Sequence, residues 1–122
     1  MLFRSKNGFK TFGIEPSVKA REMGISNYNL DIFEETHLAS IPAGSFDIIT
    51  MWHVLEHVHQ LHEYMDQLHQ VLKEDGVLFI AVPNHTSSDA KHYGVGWAAY
   101  DVPRHLYHFS PASMAEIGRA HV

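Results

Sequence analysis

Three groups of residues in this chain have the types and spacing to do chemistry. The first is His53-Val-Leu-Glu56-His57. It has the H-x-x-E-H spacing of inverted zinc peptidases, in which two imidazoles hold a metal and a carboxylate activates water. The second is Asp101-Val-Pro-Arg104-His105-Leu-Tyr107-His108. It offers a cation for an anionic substrate and imidazoles able to act as general bases near neutral pH. The third is a pair of acids, Glu15 and Asp31, each placed after an apolar run. A carboxylate at a strand end can accept hydrogen bonds from both hydroxyls of a ribose, and the next one along can accept from an adenine amino group.

These groups need elements to hold them. Residues 46–52, FDIITMW, form an apolar run that reads as a strand buried on both faces. It delivers His53, Glu56 and His57 at its exit, where ligands bind in open parallel sheets. Residues 8–15 read as an earlier strand. Pro16 and Ser17 open a helix over 18–23 that Gly24 ends, and 25–30 reads as a second short strand with Asp31 at its carboxyl end. In residues 60–73, Leu61, Tyr64, Met65, Leu68, Val71 and Leu72 recur at three- and four-residue spacing, which predicts an amphipathic helix. Residues 74–76 close it, and 77–82 form another apolar strand. Residues 85–100 read as a long loop or lid anchored by Trp97 and Tyr100, and Ser110-Pro111 as the cap and first turn of a last helix.

Strands alternating with helices predict an α/β fold with parallel crossovers and flanking helices. In that frame H-x-x-E-H is a weak metal motif, because it comes directly off a strand instead of lying within a helix. Only Glu63 and Asp66 offer themselves as a further ligand. Glu15 alone would read as a carboxylate favoured by the start of a helix. With Asp31 and the strand exit at Trp52-His53 it lines an adenosine-sized crevice. Tyr107 and Phe109 have a plain reading as core, Arg104 to His108 as ties for a lid, and His59, His62 and His69 as the solvent side of their helix.

The chain has 122 residues, a net charge of −5 and eleven histidines, with no cysteine. Disulfides and thiolate metal sites are therefore excluded. No basic stripe exists to bind a nucleic-acid backbone, and no run approaches the roughly 18 apolar residues of a membrane span. No signal peptide is legible either, so a cytoplasmic protein is expected.

The segments GIEPS, NLDIFE, FDIITMWHVLEHV, LHQVLKEDGVLFIAVPN and DVPRHLYHFSPAS occur in an order and spacing that resembles the class I S-adenosylmethionine-dependent methyltransferases. The likeness is to the methyltransferase-23-like branch, whose tail carries D-x-P-R-H-x-x-H-F-S, and it covers nearly all of residues 6–115. The resemblance implies a Rossmann-like, mostly parallel sheet and S-adenosylmethionine as the methyl donor. It places Glu15 and Pro16 at the cofactor ribose, Asp31 and Ile32 at the adenine, and Met51, Trp52 and His53 along the cofactor site. Trp97, Arg104 and Tyr107 are then candidates for the acceptor side, with His57, His105 and His108 as candidate bases. The reaction needs no metal, and its partner is a small-molecule acceptor.

The chain departs from the family in one respect. The family's first strand and its glycine-rich loop, D-x-G-C-G-x-G in character, should precede Gly8 and do not. That strand lies between the Glu15 and Phe46 strands in the family's sheet, so a central gap or a non-native pairing is expected, and the last strands are missing too. Residues 1–5 and 116–122 can be encoded by DNA strings that are reverse complements over part of their length and resemble a sequencing adapter. The expectation is a partial methyltransferase domain over 6–115 flanked by two translated tails, inactive as an isolated chain. The other reading is a histidine-rich zinc-binding or hydrolytic domain centred on His53, Glu56 and His57.

Overall fold

The structure is a computed structural model that describes residues 7–120. Residues 1–5, assigned to the first tail, lie outside it, as do the last two of the second tail. The chain divides into two units, one ending at Ile41 and one beginning at Pro42.

The first unit is a βαβ turn of the chain. Strand β1 (Gly13–Ile14) pairs in parallel with β2 (Ile32–Phe33), with Gly13 opposite Ile32 and Ile14 opposite Phe33. Helix α1 (Val18–Tyr28) connects them. Ser17 caps it by accepting from the Ala20 N–H at 3.4 Å, and Glu15 Oε1 accepts from the Ser17 N–H at 2.9 Å. The helix runs five residues beyond its expected end at Met23. Gly24 sits inside it, packed so closely on Ile32 that a Cβ would collide with that side chain. The real stop is Asn29, in the left-handed region at φ 49°, which asparagine tolerates better than most residues. The strand expected over 25–30 is thus mostly helix, and pairing begins only at Ile32. The rings of Phe12, Phe33 and His37 stack beside it, with Phe33 centred 4.6 Å from Phe12 and 4.3 Å from His37.

The second unit is built on β3 (Phe46–Trp52) and β4 (Leu72–Ala81), a parallel pair with Ile48 opposite Val77 and Trp52 opposite Ala81. Helix α2 (Leu61–Val71) crosses between them and buries Leu61, Met65, Leu68 and Val71 of the expected stripe, while Tyr64 is half-buried and Leu72 already belongs to β4. Met51, Leu55, Val58 and Phe109 complete that core. The other side of the sheet differs from expectation. Ile48, Trp52, Val77 and Phe79 are about half exposed, at 52%, 59%, 47% and 52%. Alternation along the strands puts them on one face, so β3 is covered on one side only among the described residues.

Strand β4 starts five residues earlier than expected, with a register shift opposite Phe46 and Ile48. At the shift Lys73 Nζ lies 2.6 Å from Asp47 Oδ1, and the hydrogen bond and charge of Lys73 hold the Asp47 carboxyl below its usual range. Gly76 permits the irregularity: a Cβ there would lie 2.7 Å from Leu72 Cγ and 2.9 Å from the Lys73 carbonyl oxygen. Gly76→Ala is therefore expected to cost about 1–3 kcal/mol by overpacking, read as a lower urea midpoint. An unchanged midpoint would show that the bulge yields freely.

The expected lid over 85–100 contains helix α3 (Ser88–Tyr93) and two 3-10 turns, Gly94–Gly96 and Ala98–Tyr100. Helix α4 (Pro111–Ala120) follows. Ser110 and Ser113 cap it reciprocally, each hydroxyl accepting from the other's backbone N–H at 3.2 and 2.9 Å.

All named strand pairs are parallel and helices connect them, so the expected α/β class holds. In place of one continuous sheet the described strands form two sheets of two.

Candidate functional site

Glu15 stands where it was expected, at the carboxyl end of β1, with its backbone N–H donating to Phe33 O at 2.9 Å. One carboxylate oxygen is taken by Ser17, and Arg21 Nη1 donates to the Glu15 carbonyl at 2.6 Å. Pro16 follows Glu15. Asp31 does not match its expected position. It precedes β2, its carbonyl accepting from the Gly13 N–H at 2.9 Å, and Ile32 is the first paired residue. The acid that follows the carboxyl end of β2 is Glu34, which is exposed. Glu34 follows the apolar pair Ile32-Phe33, a signal that the extension of α1 obscures.

In the second unit, Met51, Trp52 and His53 form the exit of β3. Met51 is buried, and Trp52 lies exposed at the strand end. The His53 N–H extends the ladder to Ala81 O at 2.9 Å, after which the chain turns sharply with His53 in the left-handed region at φ 54°. The 3-10 turn Leu55–His57 follows. H-x-x-E-H therefore does not lie on an α-helix, and His53 and His57 do not share the helical face that an inverted zinc peptidase needs.

The segment from Asp101 to His108 is strapped onto this exit. The Leu106 N–H donates to Glu56 O at 2.7 Å, the Tyr107 hydroxyl to His59 O at 3.2 Å, and His57 Nδ1 lies 3.0 Å from Arg104 O. His105 Nδ1 lies 2.8 Å from Ala99 O and His108 Nε2 3.0 Å from Tyr100 O. A carbonyl only accepts, so each of these nitrogens carries a proton, and in the neutral ring the opposite nitrogen keeps its lone pair. The three imidazoles serve as ties, and each retains one basic atom. His57 and His105 meet edge to face, with ring centres 4.7 Å apart.

Arg104 is tied to Asp101: its Nε and Nη2 both bond Asp101 Oδ1, at 3.0 and 2.7 Å. Asp101, which the sequence reading passed over, also lies 3.8 Å from His105 Nε2 through its other oxygen. Its place three and four residues before Arg104 and His105 was the available signal. Trp97 packs against Tyr100, and Tyr100 against His108, with ring centres 5.2 and 5.1 Å apart. Beneath the strap lies Glu56, 1% exposed.

The geometry thus gathers His57, Arg104, His105, Tyr107 and His108 at one place, together with the β3 exit. Glu15 and Asp31 belong to the other unit.

Comparison with known proteins adds a family and a fold. A family model described as a methyltransferase domain matches residues 1–121. The ubiquinone biosynthesis O-methyltransferase of Glaesserella parasuis serovar 5 is 50% identical over 42 residues, which are 34% of this chain and 18% of that protein. Among solved structures, a SAM-dependent methyltransferase from Thermotoga maritima superposes with a TM-score of 0.78 at 18% identity, over 98% of this chain and 56% of the other. One from Archaeoglobus fulgidus gives 0.76 at 18% identity, over 97% and 52%. The chain therefore spans about half the length of the solved structures that it matches.

Proposed function

Because the chain belongs to the methyltransferase-domain family whose model it matches over residues 1–121, we propose that it is part of an enzyme moving the methyl group of S-adenosylmethionine to a small-molecule acceptor. The family match is the observation that carries this reading. It also sets aside the hydrolytic zinc-domain reading, whose motif lies outside any α-helix.

Bound S-adenosylmethionine would supply an activated methyl group on a sulfonium. The protein's part is to hold acceptor and methyl in line, and such positioning alone accounts for roughly 7–11 kcal/mol of barrier at best. In the first unit, the free oxygen of the Glu15 carboxylate is assigned to the ribose, with Pro16 beside it, and Ile32 to the adenine; Asp31, which precedes β2, is withdrawn from that side. In the second, Met51, Trp52 and His53 are assigned to the cofactor side. Trp97 and Tyr107 are assigned to the acceptor side with Arg104, whose charge is shared with Asp101. If the acceptor must lose a proton, His57, His105 and His108 each keep one lone pair to take it.

We place residues 6–115 as the methyltransferase portion and the rest as added tails, and we assign the enzyme to the cytoplasm. None of the described helices is long and apolar enough to cross a membrane. Genomic DNA that continues through Met1 with unrelated codons would remove the tails from this reading.

Calorimetric titration with S-adenosylmethionine tests the assignment. The chain preceded in frame by a strand and glycine-rich loop is expected to bind within the range of about 1 μM–1 mM usual for enzyme substrates. The 122-residue chain alone is expected to bind at least about tenfold more weakly, because only glycine lets backbone approach the methionine moiety so closely. Equal affinity would refute the need for the loop, and no binding by either would refute the donor.

A further inference from the structure

Glu56 has a burial that the methyltransferase reading leaves unexplained. Its side chain is 1% exposed, and neither carboxylate oxygen has a hydrogen-bond partner. His53 Nδ1 lies 3.4 Å from Oε1 without forming a hydrogen bond. A buried carboxylate is strongly disfavoured unless it is paired with a cation or coordinates a metal. One ligand atom each from Glu56, His57 and His105 lie within 4.8 Å of one another.

The two imidazoles are already oriented as metal ligands are. Each donates its Nδ1 proton to a backbone carbonyl, His57 to Arg104 at 3.0 Å and His105 to Ala99 at 2.8 Å. This outer hydrogen bond fixes the tautomer and leaves Nε2 with a lone pair. We propose that Glu56, His57 and His105 bind one divalent transition-metal ion, zinc by the chemistry of the donors. Two imidazoles and a carboxylate suit zinc, whereas calcium and magnesium take all-oxygen shells.

The dimensions fit. The centre of a triangle with the observed 4.8 Å limit as its side is about 2.8 Å from each corner, so closure to the usual ~2.1 Å takes about 0.7 Å of inward movement. His57 is exposed and has room to make it. The surrounding charge is favourable. Asp101 Oδ2 stands 3.8 Å from His105 Nε2, and Arg104, the nearby cation, is engaged on Asp101 Oδ1. Three protein ligands leave a position for water or an acceptor oxygen.

This set is not H-x-x-E-H. His53 is outside it, and the ligands come from two segments that the His57–Arg104 hydrogen bond joins across 47 residues. The ion would occupy the lone pairs of His57 and His105, leaving His108 as the candidate base. Metal binding here does not depend on S-adenosylmethionine, so the two readings fail separately.

Zinc titration of the 122-residue protein against a chromophoric chelator tests the proposal. One equivalent is expected to bind saturably, with His57→Ala, His105→Ala and Glu56→Gln each weakening it at least about tenfold. His92→Ala, a ring elsewhere on the surface, is expected to leave the affinity unchanged. Absence of a one-to-one site overturns the proposal. So does a loss of affinity in His53→Ala that His105→Ala does not share, which would return the ion to H-x-x-E-H. Should the Glu56 or His57 variant fail to fold, ring 15N resonances of the unaltered protein decide. Movement of the His57 and His105 Nε2 signals on adding zinc supports the site, and unmoved signals overturn it.

Discussion

Leu55→Ala is expected to destabilise the second unit by about 2–5 kcal/mol, the usual range for deleting a fully buried leucine. Leu55 is 0% exposed and stands among Met51, Val58, Leu61 and Met65 in the buried set. It also lies in the 3-10 turn that sets out Glu56 and His57. The loss combines the transfer term for the missing methyls with a cavity that the turn cannot close without pulling on the Leu106 to Glu56 backbone bond. Since small domains hold only about 5–15 kcal/mol in all, a change of this size removes a large part of the unit's stability. Leu55→Met, which conserves volume, is expected to cost less than about 1.5 kcal/mol. Urea unfolding followed by circular dichroism reads both. A Leu55→Ala midpoint equal to that of the unaltered protein would mean that this core is not where the stability resides.

Glu15→Gln is expected to raise the Kd for S-adenosylmethionine about 10- to 100-fold in a loop-bearing version of the chain, with little effect on folding. A hydrogen bond to a charged acceptor contributes about 1.5–3 kcal/mol, and the amide replaces a carboxylate that we assign to the two ribose hydroxyls. The substitution is chosen because a glutamine oxygen can still accept from the Ser17 N–H, as Glu15 Oε1 does at 2.9 Å. Glu15→Ala removes both functions and should also lower stability. Calorimetry on the two variants separates them. If glutamine binds the donor as tightly as glutamate does, Glu15 is only a helix-start residue.

What could be read in the sequence was whatever strong periodicity or explicit punctuation announces. The α2 stripe, strand β3 to the residue, and the Ser110-Pro111 helix start follow from spacing and capping chemistry. The misreadings share a cause. Gly24 looks like a stop but is demanded by close contact with Ile32, so α1 continues to Asn29 and carries Asp31 to the wrong end of its strand. Gly76 looks like a turn but permits a bulge, so β4 begins early. The site was half legible. Histidines and acids could be nominated by type, yet grouping Glu56 with His105 requires knowing that the Asp101–His108 segment folds back on the β3 exit. Only tertiary backbone bonds carry that information, and the local H-x-x-E-H spacing pointed to His53 in its place.

The uncovered row Ile48, Trp52, Val77 and Phe79 bears on how this protein melts. Heat capacity change and denaturant slope scale with the surface that unfolding newly wets. Side chains already about half in water in the folded state add little to either quantity. The transition is therefore expected to be shallow for a chain of this length, with a broad denaturant response and a flattened stability curve. Covering that row would steepen both.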